Sequence, residues 1–161
     1  MVELSLIRDL VAIFGVIAGF SYYVLTVKNT EKSREAQIFM QIMARATDHR
    51  WRKGFEEVRG FKFKNYQDFK EYFDENPEKW DNVFYFYQIM DDLGGLVRGG
   101  FIGVEILAYT YMSPFTTGWE KIEHIIEDWR DSYGSSKLWD GVEYLHGELI
   151  KFTKKHPELA P

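Results

Sequence analysis

Residues 10–27 read LVAIFGVIAGFSYYVLTV, eighteen consecutive positions without a charge, and this run decides how the rest of the chain is understood. At about 1.5 Å per residue a helix of that length reaches roughly 27 Å, close to the ~30 Å hydrocarbon thickness of a bilayer. A core helix of a globular domain is usually apolar along one stripe, whereas this run is apolar all round. A cleaved secretory signal has a basic leader and a small-x-small cleavage site. Here the leader holds Glu3, Arg8 and Asp9, and the run leaves through Phe20, Tyr22, Tyr23 and Leu25. The run is therefore read as an uncleaved transmembrane helix, with Tyr22 and Tyr23 near a membrane–water interface.

Flanking charge sets the expected direction. Arg8 is the one basic residue before the run, whereas Lys28, Lys32, Arg34 and Arg45 follow it closely. Basic flanks stay on the cytoplasmic side, so the N-terminus is expected outside the cell membrane and residues 28–161 inside, as in a single-pass protein. The absence of cysteine is compatible with that side, and no Asn-x-Ser/Thr acceptor contradicts it. Within the run, Ala12, Gly15 and Gly19 share one face and form a GxxxG arrangement that lets two helices approach closely, so a homodimer is a candidate state.

Charge divides the chain into an N-terminal segment of 1–27 and a helical domain of 28–161. Residues 28–64 hold ten basic and five acidic side chains, and residues 65–161 hold nine basic and eighteen acidic. Basic side chains beside a span attract anionic headgroups by about 1 kcal/mol each within a Debye length. Lys28, Lys32, Arg34, Arg45, Arg50, Arg52 and Lys53 form the expected lipid-facing patch, with the bilayer as partner.

The remainder reads as helix throughout. Ile38, Phe39, Ile42 and Met43 recur at helical spacing, predicting a basic juxtamembrane helix over 28–58 that continues the span. Asn65 is a predicted N-cap for a short helix bearing Phe69, Tyr72 and Phe73, and Asn76-Pro77 repeats the signal. The helix after it is expected to turn Trp80, Phe84, Tyr87 and Leu93 inward and to end near Gly99-Gly100. A shorter helix follows over 104–112, and Ser113-Pro114 opens another. That one carries Phe115, Trp119, Ile122, Ile126, Trp129 and Tyr133 on one stripe up to Gly134. The last helix carries Leu138, Val142, Leu145, Leu149 and Phe152, and the two are expected to form an antiparallel hairpin. No segment alternates with period two, so the fold class is all-α: a transmembrane helix continuing into a cytoplasmic bundle of five to six helices.

Candidate chemistry is sparse. Glu143 and His146 match the Glu-x-x-His pattern of carboxylate-bridged di-metal bundles and are the metal candidates, but such sites need two of these motifs and two more Glu residues. Glu120, Glu123, His124 and Glu127 lie off the inward stripe and read as a solvated face. There is no cysteine, no Gly-x-Ser-x-Gly elbow and no phosphate-binding glycine loop, so no catalytic residue and no cofactor is assigned. The segment 45–64, RATDHRWRKGFEEVRGFKFK, interleaves Trp51, Phe55, Phe61 and Phe63 with cations in a manner suited to single-stranded nucleic acid. The acidic remainder opposes a polyanion, so nucleic acid is the disfavoured partner.

Two stretches carry a family resemblance: LIRDLVAIFGVIAGFSYYVLTVKNTEKSREAQIFMQI and WEKIEHIIEDWRDSYGSSKLWDGVEYLHGELIKF. They resemble a family of small single-span membrane proteins with a cytoplasmic helical domain of unknown function, common in archaeal and environmental genomes. The resemblance implies an anchor and a helical domain and no catalytic residue. The expected function is a membrane-anchored interaction or scaffold module binding a cytoplasmic protein. The alternatives are a metal-dependent helical-bundle enzyme and a membrane-associated nucleic-acid binder.

Overall fold

Asp48, Asn65, Pro77, Gly99 and Gly134 mark helix ends that local chemistry explains. In the computed structural model, which describes residues 2–46 and 48–159, they delimit an all-α chain with no strand among the described residues. Helix α1 (Val2–Ala46) runs without a break from the apolar segment into the basic one. Helix α2 (His49–Arg59) is capped by Asp48, whose carboxylate accepts the Arg50 N–H at 2.8 Å. Helix α3 (Tyr66–Glu75) is capped by Asn65, which accepts the Asp68 N–H at 2.9 Å. Helix α4 (Pro77–Arg98) has Pro77 in its first turn, where the missing N–H has no consequence, and ends at Gly99. Helices α5 (Val104–Glu120), α6 (Ile126–Tyr133) and α7 (Asp140–Lys155) complete the set, with a 3-10 turn at Pro157–Leu159. Gly134 ends α6 with φ of 63°, a left-handed conformation that glycine adopts without steric cost.

The six helices after α1 agree with the expected bundle of five to six, but three expectations about helix ends are corrected. The helix expected over 28–58 is divided: α1 ends at Ala46, and the Asp48 cap starts α2 afresh. Within 104–120 the expected break is present: Tyr111 leaves helical geometry (φ −138°) and divides a part that starts at Val104 from one whose first turn holds Pro114, which has no N–H to bond one turn back. The long helix expected up to Gly134 is broken at residues 121–125. There the Ile122 N–H bonds to the Trp119 carbonyl and the Ile125 N–H to the Ile122 carbonyl, both at 2.9 Å, in tight turns that keep Ile122, Ile125 and Ile126 all buried. Lys121 Nζ donates to the Phe61 carbonyl at 3.1 Å, and His124 Nε2 lies 2.8 Å from the Phe63 carbonyl, so the turn clasps the extended link between α2 and α3. Finally, Asn76 does not cap α4; its amide donates to the Tyr72 carbonyl at 2.7 Å.

Two compact units divide the chain, residues 1–37 and residues 38–161. In the second, α4 packs against α2 and α7, and α7 also packs on α5. Of the helix expected over 115–133 to pair with the last one, it is the part in α5 that packs on α7. The core is one cluster that includes Val58, Phe86, Tyr87, Leu93, Phe115, Trp129, Leu145 and Leu149, with Ile38, Phe39 and Ile42 of α1 packed against it. Phe84, expected inward, is 37% exposed and touches Trp80 and Trp139. Glycine sets the closest helix approach: at Gly94 a Cβ would strike the backbone carbonyl of Gly141, so α4 and α7 meet backbone to backbone.

Candidate functional site

Within residues 1–37 the apolar run is a helical surface without a partner. An 18-residue window of α1 has mean hydropathy 2.1 and none of it is buried, which makes this the one described helix long and apolar enough to cross a membrane. Phe14, Val16, Phe20 and Tyr22 are each more than two-thirds exposed. The hydroxyls of Thr26 and Thr30 donate to the carbonyls of Tyr22 and Thr26 at 2.9 and 2.8 Å, so each polar group is satisfied by its own helix. Ala12, Gly15 and Gly19 are exposed on this surface, and nothing lies within 4 Å of a Cβ built at either glycine. Lys28, Lys32 and Arg34 are exposed on the same helix.

Arg45, Arg50, Arg52 and Lys53 are exposed on the second unit. Arg50 is engaged within it: the guanidinium pairs with Asp48 at 3.3 Å and sits 4.2 Å over the Tyr85 ring. The rings between these cations pack largely inward. Trp51 and Phe61 are buried and Phe55 and Phe63 half-buried, in ring contacts with Phe86, Phe69 and Tyr72. Trp51 and Phe61 thus belong to the core, and Phe55 and Phe63 pack against it.

Glu143 and His146 lie one turn apart on α7 and are occupied differently. Glu143 accepts from the Arg130 guanidinium at 2.8 Å. His146 faces α5, its Nε2 buried without a hydrogen bond, 4.0 Å from Glu120 and beside the Trp119 ring. Among the described residues no three His, Asp or Glu side chains converge as metal ligands. Arg130 is the buried charge of the bundle: it binds Glu127, Glu143 and the Leu138 carbonyl at 2.8, 2.8 and 3.0 Å. Burial opposes its charge, and the bonds to Glu143 and Glu127 outweigh burial and hold its pKa above the ordinary value.

The start of α7 is a second junction that the linear pattern did not announce. Trp139 precedes it with φ of 56°, the one positive-φ residue other than glycine among the described residues. Arg98 grips Asp140 with both arms, at 2.6 and 3.1 Å, and holds that carboxyl below its usual range. Asp91 on α4 accepts the N–H groups of Gly141 and Val142, yet burial pushes its pKa up.

A groove of about 420 Å³ opens between α3, the start of α4 and α6. Its walls are the rings of Tyr66, Phe69, Phe73, Trp80, Trp129 and Tyr133, with Lys70 and Asp74 beside them. Tyr66 reaches across to bond Ser132 at 3.0 Å. Sequence reasoning placed Phe69, Phe73, Trp80, Trp129 and Tyr133 on apolar stripes one by one and did not single out Tyr66; that they meet around a hollow follows from the break at residues 121–125, which sets where α6 lies.

No curated protein matches the chain, and no solved structure does. Residues 8–149 match the family described as a domain of unknown function (DUF4760), a span covering the apolar segment and nearly all of the bundle. The chain belongs to the DUF4760 family.

Proposed function

We propose that the chain is a single-pass membrane anchor carrying a cytoplasmic interaction or scaffold module, with residues 10–27 spanning the bilayer and the N-terminus outside. The observation that carries this reading is the exposed apolar window of mean hydropathy 2.1 in a chain whose bundle has its own core filled without it. Burying such a surface in lipid releases roughly 25 cal/mol for each Å² removed from water. The exposed cations at Lys28, Lys32 and Arg34 support a cytoplasmic, anionic leaflet at the carboxyl end of the span. Contact between two spans along Ala12, Gly15 and Gly19 belongs to the same reading, supported by the open space at both glycines.

Because the chain has no cysteine, an introduced one is a unique label. In intact cells a membrane-impermeant maleimide is expected to modify Ser5→Cys and to reach Ser136→Cys only after permeabilisation. The full chain is expected to stay with membranes in alkaline carbonate. Release into the supernatant, or the reverse labelling pattern, overturns the anchor or its direction respectively.

A further inference from the structure

The groove between α3 and α6 has features that packing alone does not require. Phe69, Phe73 and Trp129 are buried and form its floor, while Tyr66 and Trp80 are half-buried and Tyr133 is exposed at the rim. The rings pack on one another, Phe69 with Phe73 and Trp129 at 4.9 and 4.6 Å between centroids, and about 420 Å³ is left open over them, within the range of small-ligand sites. The bundle pairs cations with rings elsewhere, at Tyr85, Phe55, Tyr72 and Tyr144, but among the described residues no cation sits over a ring of the groove.

Charge supplies the second observation. Lys70 and Asp74 both line the groove and stand one turn apart on α3, a spacing at which opposite charges commonly pair. Among the described residues neither has an ion-pair or hydrogen-bond partner, so the groove presents one free cation and one free carboxylate beside a set of rings. Aromatic rings attract cations most strongly when the cation is easily stripped of water, and quaternary ammonium groups meet that condition best. A purely apolar ligand would use neither charge, and a polyanion would meet Asp74.

We propose that this groove binds a small zwitterion in which a quaternary ammonium and an anionic group stand a few bonds apart, the chemistry of choline phosphate. The ammonium lies among the rings with Asp74 as its counter-charge, and Lys70 takes the anion. The same chemistry is available from a free solute or from a zwitterionic lipid headgroup. The inference concerns the bundle alone and does not depend on residues 10–27 crossing a bilayer.

The test is calorimetric titration of choline phosphate into the full chain in maltoside micelles, which carry no choline. Saturable binding is expected, with Lys70→Gln and Asp74→Asn each weakening it about tenfold, a difference of ~1.4 kcal/mol. Both positions are exposed, so the helical circular dichroism of the variants is expected to match the parent. Glycerol phosphate and tetramethylammonium, each lacking half of the ligand, are expected to bind more weakly. Competition by phosphatidylcholine vesicles identifies the headgroup as a source, and lack of competition identifies the free solute; either upholds the groove chemistry. Absence of saturable binding, or an affinity unchanged in both charge variants, overturns it.

Discussion

The carboxylate of Asp91 on α4 accepts the backbone N–H of Gly141 on α7 at 2.8 Å, so the first turn of α7 is capped from a helix fifty residues earlier. Burial raises the pKa of this carboxyl, and the nearby charges of Asp92 and Asp140 add to it, although both backbone bonds oppose the shift. A carboxyl whose pKa is higher folded than unfolded contributes stability that is present below its ordinary value and lost as pH rises through the raised one. Asp91→Asn keeps an oxygen acceptor and removes the charge. Denaturant unfolding is expected to show the variant at least as stable as the parent at pH 7, with a flatter profile across the weakly acidic range. A variant less stable than the parent at pH 7 would sink this account.

Asp140, next in sequence to Gly141, responds with the opposite sign. Its bond to Arg98 lowers its pKa, so its contribution is present above the ordinary carboxylate value and fades as pH falls through the lowered one. Both partners are more than two-fifths exposed, which limits the pair to about 1 kcal/mol or less. Arg98→Ala is expected to lower the unfolding midpoint slightly at pH 7, and the difference is expected to shrink in high salt.

Backbone contact between Gly94 and Gly141 makes the α4–α7 junction intolerant of a methyl group. A Cβ at Gly94 meets the Gly141 carbonyl, and a Cβ at Gly141 meets the Asp91 carbonyl. Neither neighbour is a flexible side-chain end. Gly94→Ala is expected to destabilise the bundle by about 3 kcal/mol, the upper part of the range for overpacking. Gly147, also in α7, has nothing within 4 Å of its Cβ position, and Gly147→Ala is expected to stabilise by about 0.5–1 kcal/mol. Thermal melts of the two variants moving in the same direction would contradict this.

Arg130 is 10% exposed and satisfies the Leu138 carbonyl together with two carboxylates. Arg130→Ala removes a buried charge and a donor at once, and the expected loss is about 3 kcal/mol. Glu127 is 80% exposed, and Glu127→Ala is expected to cost less than about 0.5 kcal/mol.

The fold class was legible because periodicity and caps are local properties. Asn65, Pro77, Gly99 and Gly134 end or begin helices where residue chemistry alone placed them. Phe84 escaped because a stripe of apolar residues says which face is inward but not how wide the buried strip is. The groove escaped for a different reason: Phe69, Trp80 and Trp129 are brought together by three helices, and each alone resembles any core ring. Glu143 matched a metal motif by spacing, while its Arg130 partner thirteen residues earlier could be assigned only once α6 and α7 had been placed.

Residues 115–133 carry helical periodicity throughout, yet the finished chain bends them at 121–125, where Lys121 and His124 hold carbonyls some sixty residues earlier. The bend is secured by its own tight turns and by these long-range bonds, whose loop-closure cost is met only when residues 61–63 dock. Local regularity is given up at this bend, and Ile122, Ile125 and Ile126 all face inward in exchange.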